Sequence, residues 1–186
     1  MPADATEISA ARIDALLPQT QCRRCGFDGC RPYAEALARG ESEINRCPPG
    51  GAAVIGRLAA LLGRPELALD PGCGREGPAL VAWIDEAACI GCARCLDDCP
   101  TDAIIGARKR MHTVIAADCT GCELCLPLCP VDCIHLAPAA LPADPGAQAD
   151  GFRRRHEARR ARLARSGELR RARLRASLAN DGTPPP

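Results

Sequence analysis

Cys89-Ile90-Gly91-Cys92-Ala93-Arg94-Cys95-Leu96-Asp97-Asp98-Cys99-Pro100 is followed, thirty residues on, by Cys119-Thr120-Gly121-Cys122-Glu123-Leu124-Cys125-Leu126-Pro127-Leu128-Cys129-Pro130. Both runs read Cys-x2-Cys-x2-Cys-x3-Cys-Pro. Soft thiolates at that spacing suit iron–sulfur clusters, because three Cys two residues apart wrap a loop around three corners of a cube. Gly91 and Gly121 are expected to turn the loop with positive φ. In two-cluster ferredoxins of this spacing the last Cys of each run serves the other cluster. Cys89, Cys92, Cys95 and Cys129 are therefore assigned to one cluster, and Cys99, Cys119, Cys122 and Cys125 to the other. A single zinc ion is a poor competitor, since three thiolates within seven residues crowd one tetrahedral ion.

The repeat extends beyond the thiols. Cys99-Pro100-Thr101-Asp102-Ala103-Ile104 aligns with Cys129-Pro130-Val131-Asp132-Cys133-Ile134. Two copies of one unit imply a pseudo-twofold arrangement in which neither half is stable alone. Leu80 to Ile84 reads as a strand ahead of the first copy.

A different run stands upstream: Cys22-x2-Cys25-x4-Cys30-x16-Cys47, leading into Pro48-Pro49-Gly50-Gly51. Three close thiolates plus one remote one can hold a four-iron cluster. On spacing alone, zinc remains a competing reading for this run. Short helices are expected around it, over Ile8–Leu17, Pro32–Arg39 and Ala52–Leu62, from apolar periodicity and Pro/Gly punctuation.

The chain has 186 residues, of which 14 are Cys, and its aromatic content is 2%, too low for a core of large side chains. A small domain so built needs a staple. No signal peptide is visible before Ala10 and no apolar run reaches the length of a membrane helix. The expected compartment is therefore reducing, which turns the thiols toward metal rather than disulfides. By composition the chain divides into 1–63, the four-cysteine module; 64–79, a Pro/Gly linker; 80–137, the two-cluster unit; 138–151, a flexible connector; and 152–186, an Arg-rich helix with a disordered end. Residues 84–136 hold eight acidic side chains against four basic, whereas 151–178 hold eleven Arg against two Glu, so the net charge is only +1. The expected fold class is α+β: a small, mainly helical four-cysteine module, a ferredoxin-like βαββαβ unit, then the Arg-rich helix.

Several stretches resemble the B subunit of the Rnf-type electron transport complex. They are Leu16-Leu17-Pro18-Gln19-Thr20-Gln21-Cys22; Gly26; Gly29-Cys30-Arg31-Pro32-Tyr33-Ala34-Glu35-Ala36; Ile44-Asn45; and Cys47-Pro48-Pro49-Gly50-Gly51. Cys89 to Cys92, Ile104 to Ala107, Met111 to Ile115 and Asp118 to Cys122 continue the match, which covers about residues 8–138. The resemblance implies that Cys22, Cys25, Cys30 and Cys47 ligate a [4Fe–4S] cluster, making three in all. It also implies electron flow between ferredoxin and a nicotinamide carrier, coupled to ion movement across a membrane. Family members typically begin with a hydrophobic anchor, and seven residues precede Ile8 here. The expectation is thus a cytoplasmic electron carrier, soluble or peripheral on the cytoplasmic face of the inner membrane. Its partners would be redox proteins, either ferredoxin or components of an oxidoreductase. A free polyferredoxin-type carrier serving another oxidoreductase is the alternative.

Cys73 and Cys133 fall outside the twelve, and are expected as a bystander thiol and a small packing residue. His112, His135 and His156 show no ligand spacing and are expected as surface or packing residues. No nucleophile–base pair, paired carboxylates or phosphate loop is visible, so no catalytic residue or small-molecule substrate is assigned. The Arg-rich segment reads first as a solvated helix, then as a docking element for an acidic partner or anionic surface. It lacks the interleaved aromatics of a nucleic-acid binder. Its Leu163, Leu169, Leu174 and Leu178 make only a thin apolar stripe.

Overall fold

The structure, a computed structural model, describes residues 9–180, with side chains described through 171. The expected disordered end at 181–186, the Leu174 and Leu178 side chains, and Ile8 lie outside the described residues.

The N-terminal segment packs three helices, α1 (Ala10–Asp14), α2 (Cys30–Ala38) and α3 (Gly51–Leu62). α1 is half the expected helix. Ser9 caps its start, accepting from the Arg12 N–H at 3.4 Å, while Leu16 and Leu17 donate to carbonyls three residues back, tightening the chain before Pro18. Gln19 donates its amide to the Asp14 carbonyl at 2.8 Å and satisfies that end. Ile13, Leu17, Tyr33, Leu37, Ile44, Val54, Ile55 and Leu58 bury together with Cys25, Cys30 and Cys47. Tyr33 is fully enclosed because its hydroxyl has partners: it donates to the Glu43 carbonyl and accepts from the Arg46 N–H. Residues 64–79 are pinned to this core rather than loose. The Asn45 side chain donates to the Ala68 carbonyl, the Asn45 carbonyl accepts from the Asp70 N–H, and Glu76 accepts from the Ala52 N–H.

The second unit runs β1 (Leu80–Ile84), α4 (Arg94–Asp98), β2 (Ile104–Ile105), β3 (Thr113–Val114), a 3₁₀ turn at Leu126–Leu128 and β4 (Ile134–Pro138). β1 pairs antiparallel with β4, placing Ile84 opposite Ile134, and β2 pairs antiparallel with β3, placing Ile104 opposite Val114. A shift of thirty residues carries one pair onto the other. The repeat is also written in the backbone: φ is positive at Gly91 and Gly121, at Ala93 and Glu123, and at Asp102 and Asp132. The copies differ at the second helix, which shrinks to the 3₁₀ turn. Pro127 stands where the first copy has Asp97, and a proline there removes an i→i−4 donor. The fold is α+β, with two small two-stranded sheets over a core of Ala82, Ile84, Ala103, Ile104 and Ile134 interleaved with cysteines.

The last helix, α5 (Pro145–Asn180), starts seven residues before the expected Phe152. Asp144 sets that start by accepting from the Gly146 and Ala147 N–H groups at 2.8 and 3.0 Å. Among the described residues no helix is long and apolar enough to cross a membrane. The first half of α5 is docked rather than solvated. Arg153 meets Asp14 at 2.8 Å, Arg155 meets Asp118 at 2.8 Å, and Arg162 donates to both carboxylate oxygens of Asp102 at 2.8 Å. Arg159 adds contacts to Asp102 and to the Asp97 carbonyl. The acidic excess of the middle unit is therefore partly matched within the chain.

Candidate metal centres

Three small cavities are ringed by cysteine. Cys22, Cys25, Cys30 and Cys47 line one, beside Leu17, Tyr33 and Pro48. Cys89, Cys92, Cys95 and Cys129 line a second, with Cys133 and His112. Cys99, Cys119, Cys122 and Cys125 line a third, walled by Ala82, Ala103, Ile104 and Val114. In the middle unit the last Cys of each run thus stands beside the first three of the other run. All fourteen cysteines are free thiols. Among the described residues no group of three or more His, Cys, Asp or Glu side chains is arranged to hold a single metal ion. The sulfurs stand around the walls of each cavity without meeting at a point.

The loops hold the thiols by backbone contacts that repeat between copies. The Ala103 N–H donates to Cys99 Sγ at 3.2 Å, and the Cys133 N–H to Cys129 Sγ at 3.4 Å. The Ala82 N–H donates to Cys119 Sγ and the His112 N–H to Cys89 Sγ, both at 3.4 Å. Gly91 and Gly121 do turn with φ of 66° and 65°. What forbids a side chain there is the neighbouring backbone: a Cβ on Gly91 would stand 2.5 Å from the Arg110 nitrogen, and one on Gly121 2.2 Å from the Leu80 oxygen. In the N-terminal segment a buried amide relay does the positioning. Gln21 donates to Gln19 and accepts from the Cys30 N–H at 2.9 Å, which sets the first residue of α2 against the cavity.

Burial pushes the Cys30 and Cys125 thiols up to about 12 and the Cys95 thiol to about 11. It also raises Cys25, Cys47 and Cys122. Cys129 moves the other way: burial opposes it, but N–H groups of Val131 and Cys133 and the Cys133 thiol favour its thiolate. Groups of buried thiols would ionise together only around a strongly cationic centre. The donor set fits such a centre: soft sulfur, four to a cavity, with backbone N–H groups aimed at sulfur.

Of the remaining residues, Cys73 lines none of the three cavities and its Sγ lies 3.6 Å from an Asp70 carboxylate oxygen. Cys133 Sγ lies 3.5 Å from Cys129 Sγ. His135 stacks against the exposed Trp83 with centroids 4.7 Å apart, and His156 donates to the Pro100 carbonyl at 3.0 Å. His112 has no ligand spacing in the sequence, yet it reaches a cluster cavity. It is 1% exposed, with Nδ1 3.6 Å from Cys89 Sγ and 3.7 Å from Cys95 Sγ. One signal of this was present: thirty residues earlier stands Ala82, which lines the other cavity.

The segments touch close to their cysteines. Thr120 donates to the Thr20 carbonyl at 2.9 Å, and Arg24 pairs with Glu123. Thr20 lines the Cys22 cavity, and Thr120 and Glu123 line the Cys119 cavity. Of the two cavities in the middle unit, the Cys119 cavity is thus the one whose lining touches the N-terminal segment.

Comparison with known proteins agrees with this chemistry. The family described as "4Fe-4S dicluster domain" matches residues 82–136, and the family described as "Putative Fe-S cluster" matches residues 17–49. The chain is similar to the B subunit of the ion-translocating oxidoreductase complex of Alkalilimnicola ehrlichii, 64% identical over 134 residues, covering 71% of this chain and 72% of that one. The proteins of the same name from Thiobacillus denitrificans and an Azoarcus strain are 60% identical over 107 residues and 61% over 127. Those matches cover 58% of this chain and 57% of the first relative, and 68% and 69% for the second. This chain belongs to the family of B subunits of the ion-translocating oxidoreductase complex.

Proposed function

We propose that this chain relays electrons through three [4Fe–4S] clusters as the B subunit of an ion-translocating oxidoreductase complex. Iron–sulfur electron transfer follows from the family and the matched cluster domains. The count of three, the ligands and the complex are the proposal. Cys22, Cys25, Cys30 and Cys47 would hold the first cluster. Cys89, Cys92, Cys95 and Cys129 would hold the second, and Cys99, Cys119, Cys122 and Cys125 the third. The observation that carries it is the coincidence of three predicted quartets with three small cavities. A zinc ion would instead draw four sulfurs to about 2.3 Å from one point. Residues 1–63 and 80–137 act as the one-cluster and two-cluster units. The second is a ferredoxin-like βαββαβ unit whose second helix is reduced to one 3₁₀ turn.

The clusters supply the one-electron chemistry when bound. The protein's part is to space them, exclude water and donate hydrogen bonds to sulfur. Redox proteins of the complex are the partners, met on the cytoplasmic face of the membrane. Anaerobic reconstitution followed by iron and sulfide analysis is the test, with about twelve of each expected per chain. About eight of each would remove the N-terminal cluster, and zinc without acid-labile sulfide would overturn the reading. Copurification with integral membrane subunits tests the assembly, and recovery as a free monomer would favour an independent carrier.

A further inference from the structure

We infer that the two cavities of the middle unit hold clusters of unequal potential, and that His112 makes the difference. The inference rests on cluster occupancy of the Cys89 cavity proposed above. The pseudo-twofold repeat acts as an internal control. Ala82 and His112 are equivalent by the thirty-residue shift, and each donates its backbone N–H at 3.4 Å to the first Cys of a run, Cys119 and Cys89 respectively. The second backbone donor is matched as well, from Ala103 to Cys99 at 3.2 Å and from Cys133 to Cys129 at 3.4 Å. With these main-chain donors matched, the side chains distinguish the sites. Ala82 and Ala103 present methyl groups to one cavity, whereas the other faces the His112 imidazole and the Cys133 thiol, the weaker donor, 3.5 Å from Cys129 Sγ.

The imidazole is built in. His112 is 1% exposed, and a Cβ on Gly106 would stand 2.1 Å from its ring, so only glycine leaves room for it. Nδ1 faces Cys89 Sγ at 3.6 Å and Cys95 Sγ at 3.7 Å, while Nε2 is buried without a partner. These contacts assign the proton to Nδ1. The opposite tautomer would bury an unpaired N–H and aim a lone pair at sulfur. An N–H donated to cluster-bound sulfur stabilises the reduced, more negative state more than the oxidised one, and so raises the potential. The side-chain candidates in the Cys119 cavity are two hydroxyls, each committed to a carbonyl: Thr120, beside Cys122, donates to the Thr20 carbonyl at 2.9 Å, and Thr101, 4.0 Å from Cys99 Sγ, donates to the Asp118 carbonyl at 2.8 Å. Arg155 lies near the Cys119 side and Lys109 and Arg110 near the Cys89 side. Their partly or fully exposed charges are screened and act on both sides.

His112 thus sets the Cys89 site above the Cys119 site. Because the Cys119 cavity adjoins the N-terminal segment through Thr20 and Thr120, the higher potential lies at the cavity that makes no such contact through its lining. Ile90, 60% exposed, and Val131, 40% exposed, form the apolar rim there. An electron arriving from the N-terminal side would come to rest at that rim.

The test is an EPR-monitored redox titration of the reconstituted full chain, after its iron and sulfide have been counted. His112→Leu keeps bulk and removes the donor, and should lower one potential while leaving the others in place. His112→Gln restores an N–H and should recover most of the shift. Full iron content with no shift, or with equal shifts at both sites, overturns the inference and leaves the cluster reading intact. Clusters absent from the wild type overturn both. Should His112→Leu fail to assemble, wild-type protein carrying ¹⁵N in the histidine rings alone decides by pulsed EPR, because the His112 amide also meets Cys89 Sγ. Nitrogen coupling to one reduced cluster supports the assignment, and its absence overturns it.

Discussion

Ala93 and Glu123 carry φ of 67° and 65°, a region that non-glycine residues seldom occupy, and each sits between the second and third Cys of a run. Such backbone persists only where the surroundings impose it, and here it curls three thiols around one cavity. The fourth thiol comes from the other copy, which makes a single substitution informative. Cys99→Ser should cost about four iron per chain and abolish the signal of the Cys119 site while the Cys89 site persists. Loss of the Cys89 signal instead would mean that each run binds its own fourth Cys. The twelve cysteines were legible because ligand spacing is local. The neighbour of His112 was not, because its distance to Cys89 depends on how the turn between β2 and β3 folds back over Gly91. That turn is closed by the Lys109 N–H donating to the Gly91 carbonyl at 2.8 Å.

At the scale of elements, helix lengths departed from expectation for reasons of hydrogen bonding. Pro127 reduced one helix to a turn, and Asp144 moved the start of α5 back to Pro145. The eleven Arg suggested solvent, yet Arg153, Arg155, Arg159 and Arg162 fall on the side that meets Asp14, Asp118 and Asp102. His156 sits among them, its pKa lowered chiefly by burial and further by Arg160 and Arg159, with the Pro100 carbonyl opposing. A folded-state pKa below the unfolded value of about 6.5 favours the neutral ring, so this contribution is full above about pH 6.5 and fades as pH falls through the folded pKa. Hydrogen exchange across 145–160 should therefore quicken at pH 5 relative to pH 7 after correction for intrinsic rates. His156→Gln should flatten that difference, and an unchanged pH profile in the variant would assign the effect elsewhere.

Across the whole molecule, α5 ties the two cores together, with Arg153 on Asp14 of the N-terminal segment and Arg155 to Arg162 on the middle unit. Side-chain exposure at the Arg153–Asp14 pair is 21% and 7%, so removing the cation strands a buried carboxylate. Arg153→Ala should destabilise the protein by about 3 kcal/mol in urea unfolding. A change below about 0.5 kcal/mol would show that the pair is screened like an ordinary surface bridge. The donor set and the repeat are already complete in the linear chain, since thiol spacing and a thirty-residue period need no folding to exist. Packing in three dimensions settled which cavity adjoins the N-terminal segment, which sulfurs His112 faces, and where the Arg-rich helix lands. The contacts behind these outcomes join residues from 17 to 139 apart in the chain, Cys95 to His112 and Asp14 to Arg153 at the extremes. No local spacing encodes such distances, because they follow from how two separate cores and one helix pack.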